Sequence, residues 1–264
     1  MFYREKNIIN SMLDYADAIQ RECINSFKIE TKDGRDIVTD VDKQIENFCL
    51  SLIRQNFHDD DIISEETLSK MNLPQKGRFW IIDPLDGTWN FANRIPEFAL
   101  QVAFVVDGEV TLSAINIPFS ISGREKYFAE KGAGAYLNEK RIYVKTQIDL
   151  KRSIIAVSDF SWEDSDLLTE LNFLKSLCPN VGRIRLIGSS AISFAYLAAG
   201  RLDAYLGFDQ KIWDILPGLL LVKEAGCNVY GFDGNNYRIG DKNVIAVPEK
   251  SQLKALIFNK GEIK

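Results

Sequence analysis

The chain has 264 residues, 46 % of them hydrophobic, enough to bury a substantial core and to exclude intrinsic disorder. Its 32 Lys and Arg stand against 37 Asp and Glu, a net charge of −5, which excludes a general nucleic-acid binder because phosphate backbones demand a basic surface. Cysteines 23, 49, 178 and 227 form no close pair, the opening residues lack the apolar core of a signal peptide, and the longest apolar stretch, near 215–222, is too short for a bilayer, so a reduced, cytoplasmic protein without membrane contact is expected.

In chain order, Ile8, Met12, Tyr15, Ala16, Ile19 and Cys23 recur at spacings of three and four and predict an amphipathic helix. Val41, Ile45, Phe48, Cys49, Leu52 and Ile53 predict a second, joined to the first by a polar stretch over 28–36. Phe79-Trp80-Ile81-Ile82 reads as a buried strand, and the apolar runs 99–106 and 110–117 flank Asp107-Gly108, a hairpin signal. Further strands are expected at 127–129 and 141–144, around the Gly132-Ala133-Gly134 turn. Beyond residue 150, strands at 154–157, 183–187, 202–206 and 244–247 alternate with helices at 166–177, 189–199 and 216–225. The fold class is therefore α/β. An α+β half over 1–150 precedes an α/β half over 151–264, within one compact unit.

The chemistry is expected where the strand at 79–82 runs into Asp83-Pro84-Leu85-Asp86-Gly87-Thr88. Pro84 cannot extend a central ladder, so a turn is expected there, and a turn can aim the carboxylates of Asp83 and Asp86 and the Leu85 carbonyl at one point. Hard oxygens converging in this way suit Mg²⁺. The N–H groups of Gly87 and Thr88 can bind phosphate where the next helix opens. The same residues also read as an ordinary Asp-capped turn. Glu65 and Glu66 follow an apolar strand end, while Asp59, Asp60 and Asp61 read as a solvated face. Thr39, Asp40 or Asp42 can cap the second helix, and Asp214 can cap a later one. The single histidine, His58, excludes metal sites built on two or three histidines and reads as an exposed loop residue.

Taken together, four segments resemble the inositol monophosphatase family of Mg²⁺-dependent, lithium-sensitive phosphatases. They are Asp36-Ile37-Val38-Thr39-Asp40-Val41-Asp42, Ile62-Ile63-Ser64-Glu65-Glu66, Trp80 through Phe91, and Trp213-Asp214 followed by Glu224-Ala225-Gly226. The resemblance runs over nearly the whole chain and implies a layered αβαβα sandwich with the active site between the halves. It implies two or three Mg²⁺ per site. Glu65, Asp83 and the Leu85 carbonyl would hold the first, Asp83, Asp86 and Asp214 the second, and Asp42 would help a third. Thr88, with Asp42 or Glu65, would orient the attacking water, the Gly87 and Thr88 N–H groups would hold the phosphate, and Gly188, Ser189 and Ser190 would lie by the rest of the substrate. The implied partner is a small phosphorylated metabolite and the implied assembly a homodimer. The implied activity is phosphomonoester hydrolysis on an inositol phosphate, fructose 1,6-bisphosphate, NADP or a 3′-phosphonucleotide. A non-catalytic metal-binding or interaction protein is the alternative from another class.

The chain departs from the family at two places. Lys32 stands near the position of a phosphate-facing lysine. Gly207, seven residues before Asp214, replaces a glutamate that binds sugar hydroxyls, and is expected to open space for larger leaving groups.

Overall fold

The computed structural model describes residues 2–32, 34, 36–66, 76–161 and 164–259. Its elements run α1 (Tyr3–Cys23), β1 (Ile29–Thr31), β2 (Ile37–Thr39), α2 (Asp40–Asn56), β3 (Asp61–Ser64), β4 (Arg78–Asp86), α3 (Thr88–Ala92), β5 (Ala99–Val106), β6 (Glu109–Ser120), β7 (Gly123–Glu130), β8 (Gly134–Leu137), β9 (Lys140–Ile142), β10 (Ile154–Val157), α4 (Asp164–Leu177), β11 (Arg183–Leu186), α5 (Ser190–Ala198), β12 (Ala204–Gly207), α6 (Ile212–Ala225), β13 (Cys227–Tyr230), β14 (Val244–Pro248) and α7 (Gln252–Asn259).

Strands β3 to β9 form a seven-stranded sheet in sequence order, antiparallel except for the β3–β4 pair. A five-stranded sheet has the order β11-β10-β12-β14-β13, parallel across β11-β10-β12 and antiparallel at β14. Alternation of side chains sorts the apolar residues into three cores. Trp80, Ile82, Val102 and Phe104 pack one face of the large sheet against Ile9, Met12 and Leu13 of α1 and Ile45 and Cys49 of α2. Phe79, Ile81, Ala103 and Val105 point the other way, onto α5 and α6, whose opposite side meets Tyr205, Val244 and Ala246 of the small sheet. Leu206, Ile245 and Val247 then face Phe173, Leu174 and Leu177 of α4 and Leu253 and Ile257 of α7. The layers are thus α1α2, large sheet, α5α6, small sheet, α4α7: the αβαβα sandwich. Among the described residues no helix is long and apolar enough to cross a membrane.

One expectation fails at Pro84. The chain does not turn there: β4 continues to Asp86, with a register shift between the pairs Asp83–Gln101 and Asp86–Ala99. Three residues of β4 span what two span on β5, so Pro84, lacking an N–H, sits in a bulge where no ladder donor is required.

Candidate active site

The bulge brings Asp83 and Asp86 to the end of β4, both buried. Asp214 arrives from the first turn of α6, where its Oδ2 accepts the Lys211 N–H at 2.8 Å. One carboxylate oxygen from each of Asp83, Asp86 and Asp214 lies within 4.8 Å of the other two. Burial pushes Asp83 well above the usual carboxylate range, and Glu65, Asp86 and Asp214 add repulsion. Asp214 is raised well above that range for the same reasons, burial first, then Asp86 and Glu65. Asp86 is raised by burial to about 6, restrained by donors at the start of α5. Those donors are the Ser189 hydroxyl, the Ser190 hydroxyl at 3.1 Å and the Ala191 N–H at 2.8 Å. Among the described residues none of the three carboxylates has an ion-pair partner, the Lys32 ammonium being spent on Glu65 and Glu66. A set of buried oxygen donors without a compensating cation fits a hard divalent ion, which removes the repulsion and takes oxygen ligands only.

Asp42 enters from α2. Thr39 caps that helix, and the Thr39 N–H donates to Asp42 Oδ2 at 2.9 Å in a reciprocal capping box. The other oxygen faces the centre, where the Thr88 hydroxyl lies 3.1 Å from Asp42 Oδ1 and 2.9 Å from the Leu85 carbonyl. Burial raises Asp42 to about 6, against the donors at Thr39 and Thr88. Asp42 thus caps a helix with one oxygen and meets Thr88 with the other. Glu65, just past β3, carries an ion pair to Lys32 Nζ at 2.9 Å, and the same ammonium contacts Glu66, whose carboxyl burial raises to about 7. Lys32 is thus placed against the acidic residues, from the β1–β2 hairpin.

Gly87 precedes α3 with φ 88°, and a Cβ there would stand 2.7 Å from the Glu97 carbonyl oxygen. Only glycine fits between that strand entry and Gly188. Asn90 closes the same corner, its Nδ2 lying 2.9 Å from the Ile187 carbonyl and 3.3 Å from that of Gly188. Ser189 and Ser190 are buried, with their hydroxyls turned to Asp86.

The open space expected at Gly207 is absent. Gly207 ends a fully buried strand, and a Cβ there would lie 2.7 Å from Val244 Cγ1. Glycine is required by close packing between β12 and β14, so it opens nothing for a substrate. Asp60, read as solvated, is also different: its carboxylate holds Arg78 at 2.8 Å and the Trp80 indole N–H at 2.9 Å. His58 is exposed, as expected.

Sequence reasoning missed Gln101, fully buried on β5, whose Nε2 reaches Asp83 Oδ2 at 3.3 Å and Ser190 Oγ at 3.4 Å. Its signal was available: it is the one polar residue in an apolar strand, Ala99 to Val106.

A model described as the inositol monophosphatase family matches residues 7–262. The chain belongs to the inositol monophosphatase family. A Thermotoga maritima relative named fructose-1,6-bisphosphatase/inositol-1-monophosphatase is 36 % identical over 222 residues, covering 82 % of this chain and 80 % of its own length. The Nus factor SuhB of Xylella fastidiosa is 35 % identical over 258 residues, covering 95 % of this chain and 90 % of its own. Among solved structures, the extragenic suppressor protein suhB of Bartonella henselae superposes with a TM-score of 0.87 at 27 % identity, over 97 % of this chain and 98 % of that one. Membership of the family thus rests on the entire length of the sandwich.

Proposed function

We propose that this family member is a Mg²⁺-dependent phosphomonoesterase acting on a small phosphorylated metabolite in the cytoplasm. The observation that carries the reading is the convergence of Asp83, Asp86 and Asp214 at the end of β4, the first two buried and the third half-buried, without a cation partner among the described residues. In this reading Asp83, Asp86 and Asp214 hold one ion, Glu65, Asp83 and the Leu85 carbonyl hold another, and Asp42 serves a third. When bound, Mg²⁺ supplies charge neutralisation for the phosphate dianion and acidifies the attacking water. The protein's own contribution is placement. The Thr88 hydroxyl, held between Asp42 and the Leu85 carbonyl, accepts a hydrogen bond from that water and aims it at phosphorus. The Gly87 and Thr88 N–H groups bind the phosphate oxygens, and Gly188 borders the leaving group.

The test is phosphate release over a panel containing inositol 1-phosphate, fructose 1,6-bisphosphate, NADP and 3′-phosphoadenosine 5′-phosphate. The first two are the substrates in the Thermotoga relative's name. Turnover with Mg²⁺ and none after chelation is expected, and undiminished turnover in chelator overturns the reading. The relatives named Nus factor SuhB favour a second one, an interaction protein that retains the carboxylate site. The absence of turnover on the whole panel, with Mg²⁺ still bound, would favour it.

A further inference from the structure

Gln101 is the one polar residue that β5 buries. It pairs directly with Asp83 across the β4–β5 ladder, so both side chains leave the sheet on the same face. Along β5 that face is otherwise apolar: Ala99, Ala103 and Val105 pack there into the core shared with α5 and α6. A fully buried amide in such a strand is costly unless it is hydrogen-bonded, so its partners decide what it is for.

Its Nε2 carries two hydrogens, and two acceptors face it: Asp83 Oδ2 at 3.3 Å and Ser190 Oγ at 3.4 Å. The Ser190 hydroxyl has a single hydrogen and two acceptors of its own, Asp86 Oδ1 and the Asp214 carbonyl oxygen, each at 3.1 Å. The charged acceptor takes that hydrogen, which leaves the serine oxygen free to accept from Gln101. One amide thus holds Asp83 directly and Asp86 through a single hydroxyl. Charge excludes the flipped amide, since it would set Oε1 against the Asp83 carboxylate. The orientation kept leaves Oε1 buried with no partner among the described residues, so the N–H side is the one that determines the placement.

The residue type matters. A lysine here would bring a built-in cation, and a leucine would leave Asp83 Oδ2 without this donor. The amide supplies two donors and no charge, so it orders the carboxylates and leaves their charge for the ion. We infer that Gln101 is a positioning residue: it fixes the separation and aim of Asp83 and Asp86 so that both meet the same ion. The inference rests on the phosphomonoesterase reading and deepens it, adding a residue that acts through the carboxylates.

The experiment is calorimetric titration of the full, chelator-stripped chain with Mg²⁺, in the parent, Gln101→Met, Ser190→Ala and the double variant, with phosphate release measured on the panel above. Gln101→Met keeps the length of the side chain and loses both donors. Its Mg²⁺ affinity should fall about tenfold, the usual loss when a metal ligand loses its hydrogen-bond partner, and kcat at saturating Mg²⁺ should fall by about the same factor with KM changed less than about twofold. Ser190→Ala should weaken Mg²⁺ about tenfold as well, and the double variant should stay within about threefold of the weaker single one, because both cut the same relay. Affinity in Gln101→Met within about twofold of the parent's overturns the inference, even if the variant melts lower in chelator, which is what a merely structural role would show. A double variant about a hundredfold weaker, the product of two independent losses, overturns it too. Should Gln101→Met fail to fold, Gln101→Asn, an amide one methylene short of both acceptors, takes its place under the same criteria. If the parent binds Mg²⁺ but releases phosphate from no ester, the phosphomonoesterase reading fails by itself, and the affinities still decide whether Gln101 sets the ion site. A parent that binds no Mg²⁺ overturns both.

Discussion

Glu125 on β7 and Asp83 on β4 belong to the same seven-stranded sheet, and both are buried, but the chain has surrounded them differently. Glu125 receives the Arg201 guanidinium on both oxygens, at 2.8 and 2.7 Å, with hydroxyls from Ser120 and Tyr127, each at 2.7 Å. Burial alone would raise it, yet Arg201 and the hydroxyls win and hold it at about 2. Asp83 receives one backbone N–H and one amide, and three further carboxylates crowd it. Burial therefore does not decide the state of a carboxylate; the partner does. The first site has its cation built in and ties the end of α5 to the large sheet. The second lacks one, which is costly in a structural site and useful in one that must take a cation from solution.

The largest expected effect comes from neutralising the acidic site. Asp214→Asn and Asp86→Asn each keep shape and remove a charge. Phosphate release with Mg²⁺ should fall by about three orders of magnitude, several kcal/mol of transition-state stabilisation. In chelator the same variants should melt at least about 3 °C higher than the parent, because repulsion is relieved. Near-parental turnover in either variant would reduce that residue to a helix cap or turn former.

Stripping the built-in cation should do the reverse. Arg201→Met leaves Glu125 buried and unpaired, and should cost about 3 kcal/mol in urea unfolding while turnover per folded molecule stays near the parent's. A loss below about 1 kcal/mol would mean that the hydroxyls alone satisfy Glu125.

Acid and base should separate the two sites by sign. Glu125 is lowered from 4.5 to about 2, so its stabilisation is full above 4.5 and is lost as pH falls through 2, at most about 3 kcal/mol. Asp86 and Asp42 are raised from 3.8 to about 6, so stability linked to them is full below 3.8 and is lost as pH rises through 6. In chelator the urea midpoint should therefore fall between pH 4 and 7, and saturating Mg²⁺ should abolish that fall. A midpoint flat across this window in chelator would erase the contrast.

The smallest effect concerns Lys32, which stands 2.9 Å from Glu65 as a stand-in countercharge at the rim. Lys32→Met should tighten Mg²⁺ about fivefold in metal-titrated melting curves, the worth of one partly exposed ion pair. Unchanged affinity would place Glu65 outside the ion-binding set.

Helices α1 and α2 were legible because a buried stripe repeats every three to four residues, and the hairpin at Asp107-Gly108 because its turn chemistry is local. The β1–β2 hairpin was not, since β1 is exposed along its length and carries no burial pattern. Nor was α7, read as neither helix nor strand, nor the role of Asp60, whose partners Arg78 and Trp80 lie 18 and 20 positions away. Gly207 shows the same limit: its Cβ space is taken by Val244 on a neighbouring strand, which spacing cannot show.

The sequence by itself determined the fold class, the family and the identity of the acidic residues, because period, turn chemistry and motif spacing are properties of neighbouring positions. Only the tertiary structure decided which of those residues meet. Ser189 reaches Asp86 across 103 positions, and Asp214 meets Asp83 because the α5α6 layer is pressed between two sheets. That placement, a matter of packing rather than of local preference, leaves one buried carboxylate with an arginine and another without.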